Sequence, residues 1–491
     1  MLNEVCKRTH AYVNQMPKGK RKSYGQFFTA GRTANFMSEL FDVNLGSPCL
    51  RLLDAGAGSG ILSAALVAHL RRTGYQGQIE LTCYETDPNV LPLLEENLAM
   101  IHEQAGIKHL IVRENYLTSQ SFSDTPALLD PLPDIRDHFD MVIGNPPYKK
   151  ISKDENEAIH MASVCHGAPN LYFLFWAMAV RNAKPGGQIV YIIPRSWTSG
   201  LYFERFRQYL FSHCVITDVH LFGSRNKVFD GESVLQETMI VKVRKTCNRP
   251  KTVHVTTSET SDFTPLKHCF VPYRTAVGPA GYVYLVTNKK DADTLSRLSQ
   301  FKDTLVSDDL RMRTGIIVDF RTREVLRDQA GADTYPLIYS QHIRDGRVHW
   351  PIGKESEYIC TNHSGYLQNN TNYLFVKRFT AKEEPRRLQC GIYLSADHPQ
   401  YKYISTQNKI NYIQCHTEDE AYGLYALLNS TLYDQYYRIL NGSTQVNASE
   451  INCMPVPPRS TIIEMGRELR RADLSQPTCD KIIDKWIKSQ P

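Results

Sequence analysis

No long apolar run occurs in this 491-residue sequence. Nothing in it approaches the roughly 20 consecutive apolar residues of a membrane span, and Met1-Leu2-Asn3-Glu4 does not begin a signal peptide. A cytoplasmic location is expected, with no membrane partner. The 12 cysteines are scattered without a Cys-x-x-Cys pair, which argues against a disulfide scaffold or a zinc knuckle and fits a reducing compartment. There is no His-Glu-x-x-His and no comparable ligand cluster, so no metal is expected. Charge of one sign is not in large excess, with 57 basic and 51 acidic residues giving a net +6. The balance is similar in both halves. Charge therefore permits a nucleic-acid partner without requiring one, and the basic run Lys18–Lys22 reads equally as a solvated surface. Repeats and low-complexity tracts are absent as well. What remains is an ordinary globular composition, 42% hydrophobic and 22% charged. It is spread over a length that calls for two or three domains.

The first half alternates strand and helix patterns. Leu50–Asp54 reads as a strand, Ala55-Gly56-Ala57-Gly58-Ser59-Gly60 as a glycine loop, and Ile61–Leu70 as a helix. Together they form the opening unit of a doubly wound α/β sheet. The spacing is Gly-x-Gly-x-Gly, with Ile61 where a dinucleotide fingerprint has its third glycine. A pyrophosphate needs open amides; here Asp54 brings a negative charge, which suits a ligand with a cationic amine or sulfonium. Ala55, Gly56 and Gly58 are the candidate close-approach positions. A second strand, Gln78–Glu85, ends in a carboxylate placed to accept two ribose hydroxyls; the alternative is a surface glutamate before a helix. A third strand end, after Leu110–Val112, carries Asn115 and Tyr116. Asn115 could read an adenine amine and Tyr116 could stack on the ring, or both could belong to an ordinary loop exit.

The most informative segment is Asn145-Pro146-Pro147-Tyr148. It follows the apolar run Phe139–Gly144, so it stands at the C-terminal end of a buried strand, where open α/β sheets place their chemistry. The prolines stop the strand and leave carbonyl acceptors. Asn145 adds an amide oxygen and Tyr148 a flat aromatic face. The set suits a planar amine that is gripped by its two N–H groups and stacked; a plain turn is the alternative. Lys149 follows directly. A helix over Asn170–Val180, a turn at Lys184–Gly187, a strand over Gln188–Pro194 and a helix from Leu201 continue the alternation.

In this order the blocks resemble the gamma-class, TaqI-like N6-adenine DNA methyltransferases of bacterial type II restriction-modification systems. Gln26–Met37 resembles the family's N-terminal Phe-Thr segment, which puts Thr29 at a cofactor-contacting position; without the resemblance Thr29 reads as a helix cap. Asp54–Gly60 resembles the cofactor loop, Glu85 the ribose carboxylate, and Asn145–Tyr148 the catalytic motif. Asn170-Leu171-Tyr172 and Lys184–Gly187 match the two following blocks. Pro194, Trp197 and Phe203 resemble the segment that supplies a second base-stacking aromatic; Phe203 could otherwise be a buried helix residue. The family's adenine-binding aspartate is replaced by Asn115. The resemblance covers about residues 20–245. It implies a Rossmann-like catalytic domain over residues 1–245, S-adenosylmethionine as cofactor with S-adenosylhomocysteine as product, and no metal. It further implies double-stranded DNA as partner, a flipped adenine gripped by Asn145 Oδ1 and the Pro146 carbonyl between Tyr148 and Phe203, a separately encoded restriction endonuclease, and a monomer.

Past the polar, proline-containing stretch Arg244–Lys251, read as a linker, the pattern changes to short strands such as Thr252–Val255 and Tyr282–Val286. A long helix over Glu418–Ile439 and a helical tail over Ile462–Lys488 follow. Basic and aromatic residues interleave here, among them Arg313, Lys377, Arg378, Lys382, Arg386 and Arg387 beside Phe320 and Phe379. That mixture fits phosphate and base-edge contacts, and residues 246–491 are expected to form an α+β target-recognition domain. Lys149, Trp197, Arg313, Lys377 and Arg378 are the candidate nucleic-acid contacts. Three other readings stay open: an RNA base-amine methyltransferase, a protein glutamine methyltransferase, and a non-catalytic DNA-binding module.

Overall fold

The computed structural model describes residues 1–15, 29–123, 132–222, 238–260, 262–278, 281–381, 383–441 and 444–488. Lys18–Lys22, Gln26–Phe28, Lys382 and Gly442-Ser443 lie outside the described residues. The chain divides into two compact units, Met1–Val283 and Tyr284–Pro491.

The first unit is built on a nine-stranded sheet. Strands β1 (Cys49–Ala55), β2 (Gln78–Tyr84), β3 (Lys108–Val112), β4 (Phe139–Gly144) and β5 (Ala183–Pro194) run parallel in the order β3-β2-β1-β4-β5. Past β5 the order continues β7 (Thr238–Lys245), β6 (Cys214–Phe222), β8 (Thr252–Ser258), β9 (Lys267–Pro272), with β7 antiparallel to both of its neighbours. The central strands are near-continuous apolar runs because both faces are covered. One face buries Leu52, Leu81, Ile143 and Ile192 with Leu66 and Leu70 of the helix Ile61–Arg72 and Leu94 and Leu98 of the helix Leu91–Ala105. The strand order reverses between β1 and β4. In a doubly wound sheet that reversal opens a crevice at the carboxyl ends of the strands, and the glycine loop, Glu85 and the Asn-Pro-Pro-Tyr segment all leave their strands there.

Three readings of the sequence around this sheet are corrected. The polar stretch after Lys245 is a connection inside the sheet, not a domain boundary. Val253 and Val255 are buried, β8 pairs with β6, and β9 pairs with β8, so the division falls after Val283. Lys184–Gly187 lies within β5 at a bulge: the register jumps from Phe139↔Ala183 to Met141↔Gln188, with Gly186 at φ +81. Tyr282–Val286 is not a strand; Val283 makes a single bridge, to Val277.

The second unit contains a six-stranded sheet in the order Met312–Thr314, Ile410–Cys415, Asn372–Lys377, Cys390–Tyr393, Arg347–Val348, Ile343–Arg344, and a five-stranded sheet. Its expected long helix is two helices, Glu418–Leu428 and Thr431–Leu440. The break lies at Ser430, whose side chain caps the second helix by accepting from Tyr433 N. The tail is likewise two helices, Arg459–Leu469 and Gln476–Lys488. No helix among the described residues is long and apolar enough to cross a membrane.

Candidate active site

Three adjacent strand ends build the site. After β1 the chain turns through Gly56, Gly58 and Gly60, all at positive φ, before the helix Ile61–Arg72. Gly56 N and Ala57 N both donate to the Tyr84 carbonyl at 2.9 Å, and Gly58 N donates to Glu85 Oε2 at 2.8 Å. Glu85 Oε1 accepts from Thr86 N (2.7 Å) and Asp87 N (2.8 Å). The carboxylate, 8% exposed, is thus aimed by three backbone amides. Those loop amides are engaged with a carbonyl and a carboxylate. A phosphate arriving here would meet negative charge, whereas a ligand that brings hydroxyl donors or a cation fits.

Asp54 is fully buried. Its Oδ2 accepts from Ser63 N (3.1 Å) and Ser63 Oγ (2.7 Å), tying the loop to the helix start, while Oδ1 is buried without a hydrogen-bond partner. Burial pushes its pKa up to about 7. Desolvation of a charge with one unpaired oxygen is the cause. At the third strand end the two candidates part. Asn115 stays part-exposed, with Oδ1 accepting from Leu117 N at 3.0 Å and Nδ2 donating to Glu157 Oε1 at 2.8 Å. Tyr116 is only 2% exposed; its hydroxyl donates to Asn182 Oδ1 (2.7 Å) and its ring packs against Tyr84 and Phe175. The expected stacking role for Tyr116 is corrected to a core role, because the ring has no open face.

At the end of β4, Asn145 Nδ2 donates to Thr29 Oγ1 at 3.1 Å. The Tyr148 hydroxyl lies 2.9 Å from Asn145 Oδ1 and 3.0 Å from the Ile192 carbonyl and donates to them. Burial raises the Tyr148 pKa far above the ordinary phenol range, so it remains an O–H donor. The amide of Asn145 therefore has a fixed orientation: nitrogen toward Thr29, oxygen toward Tyr148. Among the described residues no backbone N–H donates to the Pro146 carbonyl. Thr29 is not a cap; the N-cap of the helix Gly31–Glu39 is Ala30, with no side-chain bond.

The segment after the tetrapeptide is tied down by Asn170. Leu171 N donates to the Lys149 carbonyl (2.8 Å), and Asn170 Oδ1 caps the helix Leu171–Asn182 through Tyr172 N. The Tyr172 ring then lies 6.2 Å from that of Tyr148 and 5.8 Å from that of Phe203, so the three form one aromatic row. Phe203 is part-exposed and Lys149 is exposed. Trp197, by contrast, is fully buried against Trp176. It is corrected from a nucleic-acid contact to a core residue. In the second unit Arg313 is exposed and Lys377 part-exposed. Arg378 donates to the Asn408 carbonyl (2.9 Å) beside the exposed ring of Phe379. Arg387, part of the basic–aromatic mixture in the sequence, is fully buried and hydrogen-bonded to Thr380 and Asn441, so it is not a surface arginine.

Sequence reasoning missed Glu157 and the N-terminal helix Leu2–Gln15. The helical spacing of Leu2, Val5, Cys6 and Thr9 was the available signal for that helix.

This sheet, with the glycine loop and the acidic second strand end, is a doubly wound, Rossmann-like α/β fold. A solved structure of the type IIL restriction-modification enzyme MmeI in complex with DNA aligns with 100% of this chain and 74% of its own (TM-score 0.54, 13% identity). Residues 77–229 match the Eco57I restriction-modification methylase family. Over nearly the full length the chain is 33% identical to the type II methyltransferase M.BsuBI of Bacillus subtilis, covering 94% of this chain and 93% of the relative. It is 31% identical to M.PstI of Providencia stuartii, covering 95% and 94%. The chain belongs to the type II methyltransferases of restriction-modification systems.

Proposed function

We propose that this type II enzyme is an adenine-specific, N6-directed DNA methyltransferase of the gamma class. The observation that carries the reading is the placement of Asn145–Tyr148. The segment leaves β4 beside the loop of β1 and Glu85 of β2, so an amine-gripping motif and a hydroxyl-accepting motif share one crevice. The order of the parts, cofactor loop first and catalytic segment second, supports the gamma class. S-adenosylmethionine, when bound, supplies the electrophilic methyl group and departs as S-adenosylhomocysteine. Glu85 would hold its ribose hydroxyls, Gly56 and Gly58 would allow the close approach, and Asp54 would lie near its cationic end.

An exocyclic adenine amine is a poor nucleophile because its lone pair is delocalised into the ring. Asn145 Oδ1 and the Pro146 carbonyl each accept one N6–H, which favours a pyramidal nitrogen and localises the lone pair. The step is then one of positioning and electrostatics. The base must leave the duplex. Tyr148 and Phe203 stack on it, contributing about 1–3 kcal/mol per aromatic contact against the cost of unstacking. The second unit reads the target sequence, and the chain acts as a monomer on duplex DNA, paired with a separately encoded endonuclease whose sites it protects. Long-read sequencing of DNA from cells expressing the protein tests the reading: N6-methyladenine at one short sequence supports it, and unmodified adenine throughout refutes it.

A further inference from the structure

The helix Leu2–Gln15 packs against the glycine loop and against the start of the helix Gly31–Glu39, although it precedes the matched family region, residues 77–229. The Thr9 hydroxyl is 2.8 Å from Ser59 Oγ in the glycine loop and 2.8 Å from the Val5 carbonyl of its own helix. Thr9 and Ser59 are 3% and 1% exposed. Ser59 is held from the other side by Asn97, whose Nδ2 donates to the Ser59 carbonyl at 2.9 Å. Its neighbour Gly58 carries the amide that aims Glu85. One turn earlier, Cys6 packs against the start of the helix that follows Thr29: a Cβ on Gly31 would lie 2.6 Å from Cys6 Sγ, so a larger residue there would have to displace the thiol. One turn later, at i+3 from Thr9 and so on the same helix face, stands the half-buried Tyr12, within electrostatic reach of Asp87 and Glu85. Burial and these two carboxylates raise its pKa, keeping the phenol protonated as an O–H donor.

We infer that this helix is the outer wall of the cofactor pocket, with Tyr12 a cofactor-binding residue at the ribose end and Thr9 a positioning residue for the glycine loop. The inference rests on the reading of the crevice as an S-adenosylmethionine site. Glu85 can only accept hydrogen bonds, so a neighbouring neutral phenol adds the donor that a ribose hydroxyl oxygen needs, and its ring covers apolar surface of the nucleoside. Thr9 acts through Ser59 on the loop that aims Glu85.

Calorimetric titration of full-length protein with S-adenosylmethionine and with S-adenosylhomocysteine tests this, since the two share the nucleoside. Tyr12→Ala should weaken both by about 10–50-fold, and Tyr12→Phe by roughly 5-fold, the value of one hydrogen bond. Duplex DNA affinity should stay within about twofold, and the melting temperature without ligand should be little changed while the ligand-induced rise in melting temperature shrinks. Thr9→Val should raise KM for the cofactor with little change in kcat, and Thr9→Ser should restore it. Cofactor affinity within about twofold of wild type in both Tyr12 variants would overturn the wall role. Wild-type protein that binds neither compound would instead overturn the underlying cofactor reading.

Discussion

Asn145 sits between two hydroxyls that hold its amide, and this local arrangement makes its replacement informative. Asn145→Ala removes one of the two acceptors proposed for the target amine, and on the cofactor side it removes a single 3.1 Å hydrogen bond to Thr29. Single-turnover methylation should fall by about 100-fold or more while cofactor affinity holds, because the lost interaction acts mainly in the transition state. Glu85→Ala should do the reverse, weakening cofactor binding by about 1.5–3 kcal/mol with duplex affinity retained; unchanged calorimetric affinity would return Glu85 to a structural role. Asp54 adds a pH signature. Its carboxyl is raised from 3.8 to about 7 by burial, so between those values the folded state holds a proton that the unfolded state has released. Its contribution to stability is therefore full below about pH 3.8 and is lost as pH rises to about 7, a loss of at most about 4 kcal/mol. Denaturant unfolding of wild type against Asp54→Asn, from pH 5 to 8, should show the wild type losing ground as pH rises; a constant difference would contradict the buried, unpaired Oδ1. At this scale the sequence was informative where backbone geometry decides the role. Strand ends and loop spacing put Glu85, Gly58 and Asn145 at adjacent strand ends, and that placement is the one the structure has. It failed for Tyr116 and Trp197, because an aromatic near a site and an aromatic in the core beneath it share the same local pattern, and only packing separates them.

Among the elements, the helix Leu171–Asn182 links stability to the site. Its cap residue Asn170 follows the chain segment whose Lys149 carbonyl accepts from Leu171 N. Asn170→Ala should cost about 1 kcal/mol in unfolding free energy, the usual value of an N-cap, with a smaller effect on methylation than Asn145→Ala; a thermal melt indistinguishable from wild type would show that the cap is dispensable. The strand and helix order of the first unit was legible because apolar runs and glycine loops are local signals. The break at Ser430 was not seen because Leu and Tyr residues keep a helical period through it, and a serine that caps a new helix resembles one that decorates an old one. The short strands of the second unit were seen as a class only, since their pairing depends on partners far away in sequence.

For the whole molecule, the chain divides into two units, and their boundary was misplaced because a polar, proline-containing connection has the composition of a linker wherever it lies. The assignment of the second unit to target recognition predicts that duplex affinity falls steeply with salt as phosphate contacts release counterions. Arg313→Ala, at an exposed position of that unit, should reduce the slope of log affinity against log salt by about one and leave cofactor binding alone. A salt series with the same slope as wild type would remove Arg313 from the interface.

The central claim, that the Asn145–Tyr148 crevice methylates the exocyclic amine of adenine in DNA, is tested most directly by nucleoside mass spectrometry. Purified protein is incubated with S-adenosylmethionine labelled in the methyl group and duplex DNA carrying its site, and the DNA is digested to nucleosides. The account predicts that the label is recovered as N6-methyldeoxyadenosine, and that Asn145→Ala yields almost none. Label recovered on cytosine, or only on RNA or protein substrates supplied in parallel, would contradict it.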